Sequence, residues 1–540
     1  MSLENEKHLD NRTYIALFAV LFGLVFARYC YYGFEYFYQL DDYIQYHNIK
    51  AANLKTSELF RGMGLLSSRP LAGLCDLFVW SNFYSFMIVA VGIISAMYAG
   101  SAILLHKVFS KHFGTGFLFF VIYALLPLGF EGTYWVSASS RIVVGLFFAA
   151  LSLYFFDDWC EKGKTHALVL FAAFQLIAFC FYEQIVLFSG ATTFIIMLLN
   201  FKSRNRRALW GLLMFVGAGI YFAVTLLAPT DITVERMALF FPWQEGYSEF
   251  CALPAGRQMV QAFFNGGYAT FVKGLVRGFE IILSEPNFLF ILAILILCTA
   301  FLLIARKTKR EDMHFLPALL AGAFLTMAPL LLFFVLKDPW FGLRNTVTSF
   351  CGIALMLDAI LGIITKRLAN RTKIEAWIAG VIALLFCIAS VSEIHDYRET
   401  TLADTAIASA AAQAFENEDF HGKGKIWILN VDASYVKNGN FYYHDHNYGA
   451  AGTDWSLTGA VRAISNRGDI PMLTPVSVYR TLPVADDDIS DDAKMFFYTG
   501  EKLVPVTPKQ TGSNWSLCDA EGKTLGTMRV ENGGAILEVK

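Results

Sequence analysis

The run FLFILAILILCTAFLLIA at 288–305 carries no charge and is closed by Arg306, Lys307, Lys309 and Arg310. A helix rises about 1.5 Å per residue, so such a run crosses most of the ~30 Å hydrocarbon layer of a bilayer. Comparable apolar runs recur at 13–34, 83–106, 114–131, 141–156, 167–182, 185–200, 208–228, 287–305, 315–336, 345–365 and 375–393. The pattern predicts an α-helical polytopic membrane protein with about eleven transmembrane helices. The short break at Tyr182-Glu183-Gln184 leaves open whether the fifth and sixth runs are two helices or one kinked helix.

Composition agrees with this assignment. Of 540 residues, 56% are hydrophobic and 16% charged, with a mean hydropathy of +0.48. Soluble chains carry about 25% charged residues. The net charge is −2 and no basic tract stands outside the short loops, which excludes a nucleic-acid partner. The nine cysteines are scattered singly and give no metal or redox signal. Cys75, Cys251 and Cys518 fall on the outer side, where their pairing cannot be deduced from sequence.

Lys and Arg set the orientation, because positive flanks resist translocation. They crowd alternate loops: Lys7 and Arg12; Lys107 and Lys111; Lys162 and Lys164; Lys202 to Arg207; Arg306 to Arg310; Lys366 to Lys373. An N-terminus in the cytoplasm and a C-terminus outside the cell (plasma or inner) membrane follow. The first run lacks a small-residue cleavage site and reads as an anchor.

Two domains are expected. Residues 1–393 form the transmembrane domain, with long outer loops at 35–82 and 229–286. Residues 394–540 have 13 basic and 20 acidic residues, a balance of −7, and form an extracytoplasmic α/β domain. An amphipathic helix through Ala414 precedes strands at Lys425–Val431, Pro471–Val478, Lys494–Tyr498, Thr527–Val530 and Ala535–Val539. Tyr442-Tyr443-His444-Asp445-His446 resembles a metal triad only on paper, since neighbouring strand residues face opposite ways and Asp445 would point away from both histidines.

Chemistry is expected on the outer face, because the cytoplasmic loops are short and hold no phosphate-binding glycine motif. Asp41 and Asp42 follow the first span in Tyr38-Gln39-Leu40-Asp41-Asp42-Tyr43. Adjacent carboxylates raise each other's pKa, and an ionised one could take a proton from a hydroxyl. Polar residues are also what any helix needs where it leaves a membrane. Residues 43–61 mix aromatic, aliphatic and polar positions, as a helix lying in the interface does. Arg69-Pro70-Leu71 follows, and the planar fork of Arg69 suits a phosphate, although a surface arginine snorkelling to water reads the same way. Arg141 and Arg344 are further phosphate candidates, and Glu183 is a second candidate acid that could instead pair with Arg141. Tyr134, Trp135 and Trp340 read as an interfacial aromatic belt. In the second outer loop, Glu235, Arg236, Trp243, Glu245 and Glu249 could line a cleft or a lid.

The order of these features resembles the first outer loop of GT-C superfamily membrane glycosyltransferases, closest to the bacterial O-antigen-modifying glucosyltransferases of the Gtr type. That resemblance implies a polyprenyl-phosphate-sugar donor and an extracytoplasmic cell-surface glycan as acceptor, with inversion at the sugar. Asp41 or Asp42 would be the base, and Arg69, Arg141 or Arg344 would stabilise the leaving phosphate. No cofactor is required, the metal-binding residues are unknown, and a divalent cation (magnesium or manganese) would be compatible with the reaction. The tail has no counterpart in the resemblance. A transporter or lipid-linked-glycan flippase is the alternative; internal repeats would be expected of it, and none is seen. Asp358 is the clearest carboxylate deep within a span. A non-catalytic scaffold whose tail binds glycan is a third class.

Overall fold

The computed structural model describes residues 10–49, 69–202, 204–227, 238–308, 310, 314–420, 426–432, 449–478, 482–483, 494–511, 514–531 and 534–539. The chain divides into two compact units: Met1–Glu35 with Lys55–Ile394, and Tyr36–Leu54 with His395–Lys540. Residues 36–54, expected as part of the first outer loop of the transmembrane domain, thus group with the tail.

The first unit is helical. Among the described residues, eight helices are long and apolar enough to cross a membrane: Trp80–Phe113, Val136–Lys162, Glu183–Phe201, Arg206–Leu227, Phe288–Lys307, Phe315–Val335, Leu343–Thr365 and Arg371–Ala414. Shorter apolar helices at Asn11–Ala27, Leu118–Tyr134 and Thr165–Phe179 stand where the first, third and fifth spans were expected. Most of these helices are apolar around their full circumference, as suits hydrocarbon on one side and protein on the other. Val136–Lys162 lies deepest, with 83% of its apolar window buried, whereas only 22% of Arg206–Leu227 is covered. The long helix Arg371–Ala414 has 44 residues, about twice what the hydrocarbon needs, and the division between units falls within it.

The fifth and sixth runs are two helices. Thr165–Phe179 ends before the turn at Cys180–Tyr182, and a new helix starts at Glu183. Gln175 Nε2 reaches Ser189 Oγ and Thr193 Oγ1, the cross-contacts of an antiparallel pair. The third span is also interrupted: Leu118–Leu125 stops at Pro127, whose ring cannot continue the hydrogen-bond ladder.

The second unit carries an eight-stranded sheet: β1 Ile426–Leu429, β2 Leu473–Val476, β3 Leu482–Pro483, β4 Met495–Tyr498, β5 Leu503–Thr511, β6 Asn514–Cys518, β7 Thr524–Glu531 and β8 Gly534–Val539, in the order β2-β1-β4-β5-β6-β7-β8-β3. β1 pairs in parallel with β2 and β4, and the remaining pairings are antiparallel. Helix Asp454–Ser465 forms the crossover between the parallel strands β1 and β2. One core joins Ile426 and Ile428 to Ile407, Ala411, Leu457 and Val461. Within this unit the Asp404 carboxylate accepts the backbone N–H groups of Ala450 and Ala451, the step that leads into helix Asp454–Ser465.

Phe315–Met327 and Phe350–Thr365 cross at two glycines. A Cβ on Gly352 would stand 2.3 Å from both the Gly322 carbonyl oxygen and the Thr326 amide nitrogen, so the backbones must separate. Gly190, by contrast, has open space around it. Gly352→Val should destabilise the protein by about 3 kcal/mol, the upper end of overpacking costs. Gly190→Ala should be neutral or stabilising by up to about 1 kcal/mol, as helix propensity dictates. Thermal unfolding in detergent checks both, and equal effects would remove the crossing as a determinant.

Candidate functional site

One end of the helical unit gathers three of the expected arginines. Arg69 precedes Pro70, the first residue of helix Pro70–Phe78, and proline keeps the residue before it out of helical conformation. The Leu71 N–H donates to the Cys180 carbonyl, which fixes this helix start beside the 180–182 turn. Arg69 Nε then reaches both oxygens of Glu183, at 2.9 and 3.1 Å, and its guanidinium lies 4.6 Å from the centre of the Tyr182 ring. Glu183 opens its helix, where the helix dipole favours an acid. Glu183 therefore pairs with Arg69 and not with Arg141.

Burial works against the charge of Arg69, but Glu183 outweighs it, and the guanidinium is held above its ordinary pKa. The side chain remains 30% exposed. With Nε committed, its two Nη groups have no hydrogen-bond partner among the described residues, and a guanidinium edge of this kind has the geometry to pair with an oxygen anion. Arg344 and Arg141 act electrostatically on the same Tyr182 phenol. The Arg344 guanidinium lies 5.2 Å from the centre of the Trp135 ring.

Amides brace this end. Asn345 Nδ2 donates to the Tyr182 hydroxyl at 2.7 Å and to Gln184 Oε1. Gln184 Nε2 in turn reaches the carbonyls of Pro329 and Asn345 and the Thr348 hydroxyl. Arg141 differs from Arg69: it is buried, donates to Asp76 at 2.8 Å and to the Ser137 carbonyl, and has the surroundings of a structural pair.

The acidic pair lies in the second unit and its members differ. Asp42 is fully buried, and its Oδ2 accepts the Tyr36 hydroxyl at 2.7 Å and the Gln39 N–H at 3.0 Å. That second bond reaches back three residues, as in a helix capping box. It closes a turn in which Leu40 takes φ +33°, a left-handed conformation rare for a branched side chain. Burial pushes the Tyr38 phenol up, and the Asp42 carboxylate adds to the rise. Asp41 is only half-buried and is the more accessible carboxylate.

Other expectations sort themselves. Tyr134 and Trp135 are buried inside the protein and form no interfacial belt, whereas Trp340 and Trp243 are exposed. Glu235, Arg236 and Tyr442–His446 lie outside the described residues. All nine cysteines are free, and among the described residues no group of three or more acids, histidines or cysteines is placed to hold a metal.

A second charged cluster sits toward the opposite helix ends. Asp358 pairs with Arg310 at 2.6 Å and accepts the Gly116 N–H, while Arg310 also meets Glu375, which pairs with Arg371. Lys111 and His112 share Asp157. The sequence marked Asp358 as deep but gave no sign of Arg310 as its partner. Asp76, Gln184 and Asn345 were also missed as contributors to the first cluster, because a single polar residue in an apolar run does not reveal what it faces.

No model of a known protein family matches the chain, and no curated protein matches it in sequence.

Arg141→Ala should cost about 3–5 kcal/mol of stability by leaving Asp76 buried without its cation. Arg69→Ala, at a half-open site, should cost no more than about 1 kcal/mol. Unfolding midpoints of the two variants check this ranking, and the reverse order would assign the structural role to Arg69.

Proposed function

We propose that the chain is a membrane glycosyltransferase of the cell membrane, GT-C-like, with about eleven spans, a cytoplasmic N-terminus and an extracytoplasmic C-terminal domain. It moves a sugar, glucose by the resemblance, from a polyprenyl-phosphate donor to a hydroxyl of a cell-surface glycan. The observation that carries this reading is the planar fork of Arg69, fixed through Nε by Glu183 and bordered by Tyr182 and Arg344 at one end of a helix bundle. Such a fork suits a phosphate group at a membrane surface. The sidedness draws support from the charges Lys111, Lys162, Arg306 and Arg371, which fall at helix ends expected in the cytoplasm.

In the reaction, the acceptor hydroxyl gives its proton to a carboxylate and attacks the anomeric carbon. The bond from that carbon to the phosphate oxygen breaks, and the configuration inverts. We assign the base to Asp41, because Asp42 already accepts two hydrogen bonds from within its own turn. Arg69, with Arg344 nearby, meets the charge that develops on the departing phosphate. Arg141 supports this cluster through Asp76.

One observation favours a second reading. Ionisable groups such as Arg310, Asp358 and Glu375, buried among apolar helices, can mark an ion path in a transporter or flippase. Their mutual pairing argues for a structural role instead.

Radiolabelled sugar transfer in proteoliposomes tests the proposal. The wild type should transfer, and Asp41→Asn should lose about 100-fold or more, the range of a general base. Arg69→Lys should fail to restore what Arg69→Ala loses, since an ammonium lacks the fork. Full activity in Asp41→Asn would move the base elsewhere, with Glu183 next. No transfer over a panel of donors, together with substrate flux that Asp358→Asn abolishes, would establish the transporter. A cysteine replacing the exposed Glu521, in a chain whose native cysteines have been replaced, should be labelled from outside intact cells by an impermeant thiol reagent. Protection there would reverse the orientation.

A further inference from the structure

The segment that carries Asp41 is built into the second unit from both sides. Before it, Gln39 Nε2 donates to the Thr401 hydroxyl at 2.8 Å and to the Tyr397 carbonyl at 3.3 Å, and the Thr401 hydroxyl donates to the Tyr38 carbonyl at 3.1 Å. After it, Asn48 Nδ2 donates to the Gly459 carbonyl at 3.1 Å. Tyr43 is part of the core that holds Ile407, Leu457 and Ala460. Gly459 permits this contact: a Cβ there would stand 2.7 Å from Ile44 Cγ1 and 3.3 Å from Tyr43 Cβ. Asp41 thus lies between two anchors, on helix Asp454–Ser465 and on the part of the long helix beyond His395.

We propose that the C-terminal domain sets the position of Asp41, with Gly459, Asn48, Gln39 and Thr401 as positioning residues. This rests on the assignment of Asp41 as the base. The tail is then a working part of the transferase and not an appended glycan-binding module. None of the four touches the reacting atoms. They act by holding a turn that is already unfavourable at Leu40, whose left-handed backbone persists only where its surroundings impose it.

The test uses the full chain and a compensating pair. Gly459→Leu should push Ile44 away and lower kcat about 100-fold, the loss that a ~1 Å misplacement of a reacting group brings. The KM for the lipid donor should stay unchanged. Ile44→Ala in the same chain should return most of kcat by making room. Asn48→Ala, which removes one hydrogen bond and adds no bulk, should give a smaller loss of the same kind. Hydrogen exchange should show residues 39–48 losing protection in Gly459→Leu and regaining it in the double variant, with β5 to β8 unaffected throughout.

Wild-type kcat in Gly459→Leu would overturn the proposal. So would a loss that Ile44→Ala does not rescue, or one in which KM rises as much as kcat falls. If the wild type itself transfers nothing, the transferase reading fails. Hydrogen exchange then decides alone whether the domain holds the 39–48 segment: protection unchanged in Gly459→Leu rejects the anchoring, and protection lost and then restored retains it.

Discussion

Burying a charged side chain is costly unless it is paired, and several ion pairs order the helical unit, although among the described residues the buried Arg28 hydrogen-bonds only to the hydroxyls of Tyr29 and Thr133. Arg141 meets Asp76, Arg310 meets Asp358 and Glu375, and Lys111 and His112 meet Asp157. Each pair ties together segments that are distant in sequence. Arg69 also meets an acid, Glu183, but at a more exposed position. Its Nε edge is met by Glu183, while its Nη groups have no hydrogen-bond partner among the described residues. Burial separates the structural clusters from the candidate site: the guanidiniums of Arg141 and Arg310 are enclosed with their acids, whereas Arg69 is 30% exposed.

The acidic pair shows a similar division of labour. Two neighbouring carboxylates cannot both sit comfortably in a poor solvent for charge. The fold sends Asp42 inward to hold a turn through Tyr36 and Gln39, and leaves Asp41 half-exposed. Identical side chains one residue apart thereby acquire different surroundings. The strained Leu40 between Gln39 and Asp41 is a local cost that the surrounding hydrogen bonds offset.

Much of the helical unit was legible, because a long uncharged run has few alternatives to a membrane helix. What eluded the sequence was partnership. Glu183 stood out as an acid between apolar runs, yet its partner lies 114 residues earlier, and nothing local distinguishes Arg69 from Arg141. Trp135 and Tyr134 have the composition of an interfacial belt, but the break at Pro127 and the short helix Phe130–Tyr134 turn them inward.

In the tail, β1, β2, β4, β7 and β8 followed from short strand-like runs punctuated by Gly, Asn and Asp, whereas β5 was hidden by Pro505 and Pro508, which argue against a strand. The sheet admits them because β5 changes neighbours midway. Its residues 503–506 pair with β4 and 507–511 with β6, so among the described residues each half pairs along one edge only. Pro475 is similarly tolerated because β2 lies at the edge of the sheet. That residues 36–54 belong with the tail was not legible at all, since it depends on contacts such as Asn48 to Gly459 across more than four hundred residues.

The central claim is that the cluster around Tyr182 receives a lipid-linked phosphate. Photo-crosslinking with a polyprenyl-phosphate analogue that carries a diazirine beside the phosphate tests it most directly, with adducts mapped by mass spectrometry of the full-length protein. Adducts should concentrate near Arg69, Trp135, Tyr182 and Arg344 and be displaced by unlabelled polyprenyl phosphate. Adducts confined to the opposite helix ends, around Arg310 and Lys111, would contradict the account.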